Sequence, residues 1–250
     1  MAEDLKRYGG DRLKPKVVLA VAAHPDDFEY FDFGIAGTIA KWVKDGSKAF
    51  YLILTNGNKG SSNRALNCAE IQKIRQQEQR AAGNVLGLSD VFFCNYEDGL
   101  LMVNADVKRD IVRIIRKVRP DVVITTDPSI LYSLSRGIVN HSDHRAAGEA
   151  TIDAVYPLSR DHLSFPELLH DEKLEPHRVS TLLLSNFEQQ NYYVDISNEF
   201  DTRIKALAEH KSQILDFGTI EGQIRATASE LGAKVGAKYA EGYLRIDFPF

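Results

Sequence analysis

Runs of consecutive apolar residues, many of them β-branched, recur along the chain and predict buried strands. A strand that is covered on both faces needs an apolar side chain at nearly every position, as in a parallel sheet. The runs are residues 16–23, 49–54, 91–94, 122–126, 179–184 and 192–196.

Apolar residues at helical spacing mark the segments between these runs. In 107–118 they recur every three or four residues, and the pattern ends before Pro120 because the residue preceding a proline disfavours helix. The predicted helices are 35–44, 67–86, 107–118, 143–155, 199–215 and the Ala- and Gly-rich 220–240. The alternation of strand and helix predicts an α/β fold, a three-layer Rossmann-like sandwich with a mostly parallel sheet.

A length of 250 residues suits one sizeable α/β domain, and we interpret residues 1–250 as a single domain. Residues 1–14 are predicted to form a polar arm. Residues 157–178 contain three prolines and show no clear period. This excursion is a candidate active-site lid, because long irregular loops in compact domains are often functional.

Charge and composition exclude some partners. The formal net charge is −4, so the chain lacks the basic field that non-specific nucleic-acid binding requires. Cys68 and Cys94 are too few cysteines for a disulfide framework. The polar N-terminus has no apolar signal region, and no stretch approaches the about 18 apolar residues of a membrane span. We therefore predict a cytoplasmic protein with no membrane or nucleic-acid partner.

Polar motifs follow three of the predicted strands, at the sheet edge where open α/β sheets bind ligands. His24-Pro25-Asp26-Asp27 comes directly after the first strand, and Thr55-Asn56-Gly57 after the second. The loop after the fourth strand begins at Thr126 and ends at His141-Ser142-Asp143-His144. The first and last of these motifs carry the candidate chemistry.

In the first motif, Pro25 suits the first position of a helix. A helical turn there lets His24 and Asp27 point at one ion, while Asp26 projects elsewhere, near a bound water. The spacing alone does not distinguish Asp26 from Asp27 as the ligand. The alternative is a capped helix start, with an aspartate satisfying exposed N–H groups.

The second motif places two of the seven histidines, His141 and His144, within four residues. Its alternative is a polar helix start with Ser142 or Asp143 as the N-cap. Together the two motifs supply two imidazoles and one carboxylate, the ligand set of a catalytic zinc site with an open position for water. A spare carboxylate can act as general base, and a spare histidine can stabilise the oxyanion or protonate the leaving amine. Asp143 can hold His141 in one tautomer.

These motifs resemble those of the PIG-L/LmbE-like family of zinc-dependent N-acetylglucosaminyl de-N-acetylases. The resemblance rests on residues 23–29 (AHPDDFE) and 141–144 (HSDH). It implies that His24, Asp27 and His144 bind Zn²⁺, that Asp26 is the general base and that His141 assists at the oxyanion.

Shorter matches in the same order extend the resemblance over most of the chain. They are 54–57, the helix positions Arg75, Glu78, Ala81-Ala82 and Leu86-Gly87, the turn 98–101, and the late segments 194–197 and 210–213. The resemblance implies that Arg75 and Asp98 line the substrate pocket. The alternatives are an exposed helix charge or an ion pair with Glu78 for Arg75, and turn chemistry for Asp98.

Two further residues belong to these matches. For His210 we expect a structural contact or a subunit interface, and for Glu29 we expect a contact with a ligand histidine.

The chain departs from the family pattern at two places. Ser142 stands where the family commonly has proline. The stretch from Asp27 to Thr38 is about three residues longer than usual and carries Tyr30, Phe31 and Phe33, which either stack on a sugar or pack as core.

The sequence thus predicts a zinc-dependent N-deacetylase acting on an N-acetylglucosamine-type sugar or glycoconjugate. The alternative is an amidase acting on another N-acyl conjugate, such as an amino-sugar thiol conjugate or an acylated natural product. A non-catalytic sugar- or nucleotide-binding module is the third hypothesis, although no G-x-G-x-x-G or Walker-type loop occurs in the sequence. By resemblance, the chain is a candidate homo-oligomer, a trimer or hexamer.

Overall fold

The computed structural model describes residues 13–30, 34–134, 137–186 and 188–249. Within these ranges a seven-stranded sheet has the order β3-β2-β1-β4-β7-β9-β8. Its strands are β1 Val17–Ala22, β2 Lys48–Thr55, β3 Asp90–Tyr96, β4 Val122–Thr126, β7 Thr181–Ser185, β8 Tyr192–Asp195 and β9 Ala240–Asp247. A separate two-stranded antiparallel sheet consists of β5 Tyr132–Ser133 and β6 Ile138–Val139.

The sheet is mostly parallel. The neighbours β3, β2, β1, β4 and β7 pair in parallel, whereas β9 pairs antiparallel with both β7 and β8. The helices are α1 Ala36–Lys44, α2 Cys68–Leu86, α3 Ala105–Val118, α4 Ser142–Asp153, α5 Pro166–His170, α6 Phe200–Leu207 and α7 Phe217–Ala233. An irregular π-helical segment, Ala154–Leu158, follows α4.

Two hydrophobic cores lie on the two faces of the sheet. Successive β1 residues alternate between them, so that Val18 and Ala20 face one core while Leu19 and Val21 face the other. The first core is completed by residues of α1, α2, α6 and α7, and the second by residues of α3, α4 and α5. The predicted three-layer α/β sandwich is confirmed.

Several elements differ from the prediction: α5, β5 and β6 were not predicted, and the helix predicted over 220–240 spans Phe217–Ala233. The helix predicted over 199–215 ends at Leu207, because the chain then turns so that His210 becomes buried. Strand β9 was not predicted, because charged residues interrupt its apolar pattern. One of them, Glu241, is buried yet paired: it accepts from the Gly37 and Thr38 N–H groups at 2.9 and 2.7 Å and lies 3.1 Å from Arg203 Nη1. A buried charge is tolerated when such partners satisfy it.

The excursion 157–178 packs against the end of α3. Arg116 is 2% exposed, and its guanidinium donates to the carbonyls of Leu158, Ser159, Asp161 and Ser164 at 2.8–3.2 Å. The excursion also meets Pro120, whose carbonyl lies 2.8 Å from His177 Nε2. These contacts lie at the amino end of β4, whereas the polar motifs follow the carboxyl ends of strands. A role as an active-site lid stays a prediction, and these contacts do not favour it.

Of the predicted arm, residues 1–12 lie outside the described residues. Among the helices of the described ranges, none combines the length and apolar character that crossing a membrane requires.

We expect Arg116→Met to destabilise the fold by about 3 kcal/mol, because buried carbonyl groups of the excursion lose their donor. Urea denaturation measures the change. The matched control is Arg119→Met, since Arg119 is exposed and contacts the same excursion only at 3.4–3.5 Å. A loss for Arg116→Met no larger than that of the control would show that the guanidinium does not hold the excursion.

Candidate metal centre

The first motif forms a turn rather than the helix start that Pro25 suggested. Residues 25–29 turn tightly, with the N–H groups of Glu29 and Tyr30 donating to the Asp26 carbonyl at 3.0 and 2.9 Å. Helix α1 begins only at Ala36. Asp26 has a φ of +88°, a conformation that L residues rarely adopt and that costs about 1–3 kcal/mol. The turn projects Asp26 and Asp27 in different directions.

The side chains of His24, Asp27 and His144 converge at the carboxyl edge of the sheet. His24 Nδ1 lies 3.2 Å from His144 Nε2. Asp27 Oδ1 lies 3.1 Å from His144 Nε2 and 3.5 Å from His24 Nδ1. The second Asp27 oxygen accepts from the His24 N–H at 2.9 Å, which fixes the carboxylate. Three potential ligand atoms thus form a nearly equilateral triangle.

The triangle has the dimensions of a metal site. Zinc bonded tetrahedrally at about 2.0–2.1 Å separates its ligand atoms by about 3.3 Å. The observed edges of 3.1–3.5 Å bracket that distance. Two imidazoles and one carboxylate are also zinc's ordinary donors, so the residues present fit the metal.

A second group, His24, His141 and Asp143, also brings ligand atoms within 4.8 Å of one another. In this group the Asp143 oxygens already accept from the Gly99 and Leu101 N–H groups at 2.7 and 3.2 Å. A metal there would compete with these bonds for the same two oxygens, so the first triangle is the better site.

Asp143 was predicted to orient His141, and its carboxylate contacts His24 instead. Asp143 Oδ2 and Asp98 Oδ1 each lie 3.2 Å from His24 Nε2, the nitrogen on the far side of the ring from the triangle. Carboxylates that hold the second nitrogen of a ligand histidine fix its orientation and raise its basicity. Asp98 and Asp143 therefore support His24.

His141 is the N-cap residue of α4, whereas the alternative interpretation of this motif had Ser142 or Asp143 in that position. Its Nδ1 accepts from the Asp143 N–H at 3.1 Å. When the ring is neutral, the proton therefore resides on Nε2. The His141 ring lies edge-on to the His24 ring with centroids 4.8 Å apart, and the side chain is exposed. An exposed N–H donor thus stands beside the metal triangle.

Arg75 holds Asp26. Its Nη2 donates to Asp26 Oδ1 at 3.1 Å and to the Pro25 carbonyl at 2.6 Å, and its Nη1 donates to the Gly57 carbonyl at 2.9 Å. Gly57 makes room for this guanidinium, since a Cβ there would lie 2.8 Å from Arg75 Nη1. Glu78 is not the partner of Arg75, because it accepts from Ser212.

A glycine also lets α4 approach β4. A Cβ on Gly148 would lie 2.3 Å from the Thr126 carbonyl oxygen. The Thr126 hydroxyl in turn donates to the His144 carbonyl at 2.7 Å. The close approach of helix and strand thereby brings His144 to the end of the sheet.

The contact of Gln79 with the first motif was not predicted, and Glu29 has a different partner from the one expected. Gln79 is fully buried and accepts from the Asp26 N–H at 2.8 Å, while its Nε2 donates to Glu29 Oε1 at 3.2 Å. Glu29 was expected to contact a ligand histidine, but it lies 3.3 Å from His210 Nε2. The available signal was helical spacing: Gln79 follows Arg75 by four residues and shares its face of α2.

The aromatic residues after the first motif are only partly described. Phe31 and Phe33 lie outside the described residues, and Tyr30 is 37% exposed. Their predicted roles in stacking or packing stay predictions.

The charges of the triangle support one another. Burial alone would lower the pKa of His24, but Asp27, with the hydrogen bonds to Asp143, Asp27 and Asp98, raises it well above its usual range. Burial alone would raise the pKa of Asp27, yet His144 and His24 hold it well below. Burial likewise opposes the hydrogen bond and charge of His24, which lower the pKa of Asp98 to about 2.

The pKa values of the two residues beside the triangle shift differently. Burial raises the pKa of Asp26, with Arg75 opposing and the negative Asp27 adding to the shift. Burial lowers the pKa of His141, and the electrostatic influence of the neighbouring His24 and His144 lowers it further. The arrangement therefore offers a carboxylate with raised basicity and a neutral imidazole with a free N–H donor.

Comparison with known proteins gives matches over most of the chain. Residues 19–155 match the family model described as GlcNAc-PI de-N-acetylase. The diacetylchitobiose deacetylase of Thermococcus kodakarensis is 31% identical, over 91% of this chain and 82% of that protein. A probable N-acetyl-alpha-D-glucosaminyl L-malate deacetylase of Bacillus anthracis is 28% identical, over 78% of this chain and 80% of its own length.

A solved structure agrees with these matches. The N,N′-diacetylchitobiose deacetylase of Pyrococcus horikoshii superposes with a TM-score of 0.84 at 31% identity, covering 93% of this chain and 84% of that one.

We expect Asp143→Asn to weaken zinc binding about 10–100-fold, because His24 loses a carboxylate that orients it. Competition titration against a chromophoric chelator measures the affinity. Asp153→Asn is the control, since Asp153 lies at the other end of α4 and pairs with Lys108. Equal affinities for Asp143→Asn and wild type would remove Asp143 from the site.

The pair of Glu29 and His210 predicts a pH-dependent stability. Burial alone would lower the pKa of His210, but the hydrogen bond and negative charge of Glu29 raise it above its ordinary value of 6.5. The stabilisation is therefore complete below the unfolded-state pKa of 6.5 and is lost as pH rises through the higher folded-state pKa.

Metal-free wild type and His210→Gln compared by urea denaturation between about pH 6 and pH 9 should show a stability difference that shrinks with rising pH. A difference that grows with pH would contradict the assignment of the charged pair.

Proposed function

The chain belongs to the GlcNAc-PI de-N-acetylase (PIG-L) family, and from this premise we propose that it is a zinc-dependent N-deacetylase. Its substrate would be an N-acetylglucosamine-type sugar or glycoconjugate, and its products acetate and a free amine. The substrates in the names of the T. kodakarensis, P. horikoshii and B. anthracis relatives support this class.

The observation that carries the proposal is the triangle of His24, Asp27 and His144, with edges of 3.1–3.5 Å, beside the carboxylate of Asp26. These three residues would hold the zinc ion. Zinc, when bound, polarises a carbonyl and makes a water nucleophilic near neutral pH.

Asp26 would act as general base. Its raised pKa suits the acceptance of a proton from the attacking water, and Arg75 holds one oxygen in place. The water's oxygen forms a bond to the acetyl carbon while its proton passes to Asp26. When the C–N bond breaks, that proton passes to the leaving nitrogen. The products are the free amine and acetic acid, which releases the second water proton to become acetate, and Asp26 returns to its charged form.

His141 would stabilise the charge that develops on the acetyl oxygen. Its Nδ1 is occupied by the Asp143 N–H, so Nε2 presents its proton to the site. A preorganised neutral donor of this kind strengthens its hydrogen bond as the oxygen becomes negative. The Asp143 N–H, in the first turn of α4, keeps the His141 ring in this orientation.

Direct contact of Arg75 or Asp98 with the sugar stays a prediction. Arg75 contacts Asp26, and Asp98 contacts His24. The cytoplasmic location, the trimeric or hexameric assembly and the absence of a nucleic-acid partner also stay predictions.

A panel assay tests the substrate class. Purified protein is incubated with N-acetylglucosamine, its β-linked disaccharide, N-acetylglucosaminyl glycoconjugates, other N-acyl sugars and non-sugar amides, and released acetate and amine are quantified. The proposal expects turnover of N-acetylglucosamine compounds. Turnover confined to other N-acyl conjugates would favour the amidase alternative, and sugar binding without any turnover would favour a binding module.

Removal of the metal should abolish turnover. We expect dialysis against a chelator to reduce activity to background, and about one equivalent of zinc per chain to restore it, because the triangle binds a single ion. Metal analysis and acetate release are measured on the same samples. Full activity in protein verified to be metal-free would contradict the proposal.

Asp26→Asn should lose activity and keep the metal. Loss of a general base lowers kcat by about 10²–10⁴-fold, whereas the three ligands are untouched. Acetate release and zinc content are measured together, with Asp45→Asn as an exposed carboxylate control. Unchanged kcat in Asp26→Asn would remove Asp26 from the chemistry.

A further inference from the structure

One face of helix α2 contacts both the side chain and the backbone of Asp26. Arg75 holds its carboxylate at 3.1 Å, and Gln79, one turn further along, accepts from its backbone N–H at 2.8 Å. Residues four apart on a helix are neighbours, so both contacts come from a single rigid surface. Asp26 is therefore fixed both at its side chain and at its backbone.

The backbone contact matters because Asp26 is strained. Its φ of +88° is sparsely populated for residues with a Cβ. Such a conformation persists only when the surroundings over-determine it. Relaxation of this residue would turn its side chain away from the position that the proposed general base must occupy. A general base displaced by about 1 Å can cost about 100-fold in rate.

Gln79 is itself held by a second buried pair. Its Nε2 lies 3.2 and 3.4 Å from the two oxygens of Glu29, and Glu29 lies 3.3 Å from His210 Nε2. Gln79 and Glu29 are fully buried and His210 is 1% exposed. Because Glu29 can only accept, the amide of Gln79 must donate its NH₂ to Glu29 and present its oxygen to Asp26. The glutamate therefore fixes which way round the amide stands.

We propose that Gln79 is a positioning residue for the reaction, one that Glu29 and His210 orient so that its oxygen holds Asp26 in the strained conformation needed by a general base. The inference rests on the proposed function for its catalytic meaning, but the contact itself can be tested without any substrate. It also gives the late segment 210–213 a role, through His210, in a site formed mainly by earlier residues.

Three variants separate positioning from simple packing. Gln79→Met removes both hydrogen bonds at similar volume. Gln79→Glu keeps the acceptor for Asp26 but sets its carboxylate against that of Glu29. The double variant Glu29→Gln with Gln79→Glu restores the pattern, since the new glutamine can donate to the new carboxylate and accept from His210.

We expect Gln79→Met to lower kcat about 10–100-fold with KM changed less than about twofold and about one zinc per chain retained. Gln79→Glu should lose activity similarly, and the double variant should recover most of it. The matched control is Gln76→Met, the same exchange on α2, since Gln76 donates to Asn95 at 2.6 Å without contacting Asp26. Its kcat should match that of wild type.

The second readout is amide hydrogen exchange of Asp26 in the metal-free proteins, followed by NMR. Loss of the Gln79 acceptor should speed exchange of this amide about tenfold in Gln79→Met, because its hydrogen bond is removed. The double variant should retain wild-type protection. Should Gln79→Met fail to fold, Gln79→Glu against the double variant still decides the matter.

Wild-type kcat in Gln79→Met, or unchanged exchange of the Asp26 amide, would overturn the inference. Equal activity of Gln79→Glu and the double variant would overturn the part assigned to Glu29. A wild-type protein inactive on every N-acyl compound would instead overturn the proposed function, and amide exchange would then decide whether Gln79 holds the Asp26 backbone.

Discussion

The proposed function depends on the convergence of three potential ligand atoms at the end of the sheet. His24 Nδ1, His144 Nε2 and Asp27 Oδ1 lie 3.1–3.5 Å apart at the end of the sheet. Two ring nitrogens at this distance cannot both present lone pairs to each other without repulsion, so one must be protonated or both must bind a positive ion. The raised pKa of His24 and the lowered pKa of Asp27 both show that the surroundings of these residues stabilise a positive charge on His24 beside the Asp27 carboxylate.

The surrounding residues form two supports with different tasks. On the side of β3 and α4, Asp98 and Asp143 hold the second nitrogen of His24, while the Gly99 and Leu101 N–H groups hold Asp143. On the side of α2, Arg75 and Gln79 hold Asp26 instead of a ligand. The first support sets the metal site and the second sets the proposed base. Their separation explains why Asp26 and Asp27, adjacent in sequence, can serve different roles.

The fold and the convergence of His24, Asp27 and His144 were predictable because both rest on local patterns. Continuous apolar runs gave the parallel strands, and parallel strands carry the two polar motifs to one edge. Strand β9 was not predicted because charged residues interrupt its apolar pattern. Their charges are neutralised by partners distant in sequence, such as Arg203 for Glu241. The extent of α6 was overestimated because burial of His210 against Glu29 outweighs its helical pattern.

The supports of the site could not be predicted for a related reason. Whether the carboxylate of Asp143 contacts His141 or His24 depends on the direction of its side chain, which the Gly99 and Leu101 N–H groups fix. The N-cap role of His141 likewise depends on its rotamer. Gln79 carries no motif, and its importance follows only from the strained backbone of Asp26 opposite. Sequence motifs thus indicate candidate reactive residues, whereas the residues that orient them depend on tertiary contacts.

The most direct test of this account is X-ray absorption at the zinc edge of protein loaded with one equivalent of zinc. We predict a shell of nitrogen and oxygen atoms at about 2.0–2.1 Å with the scattering of two imidazoles, and of one imidazole in His144→Ala. A sulfur shell at about 2.3 Å, or an oxygen shell without imidazole, would contradict it.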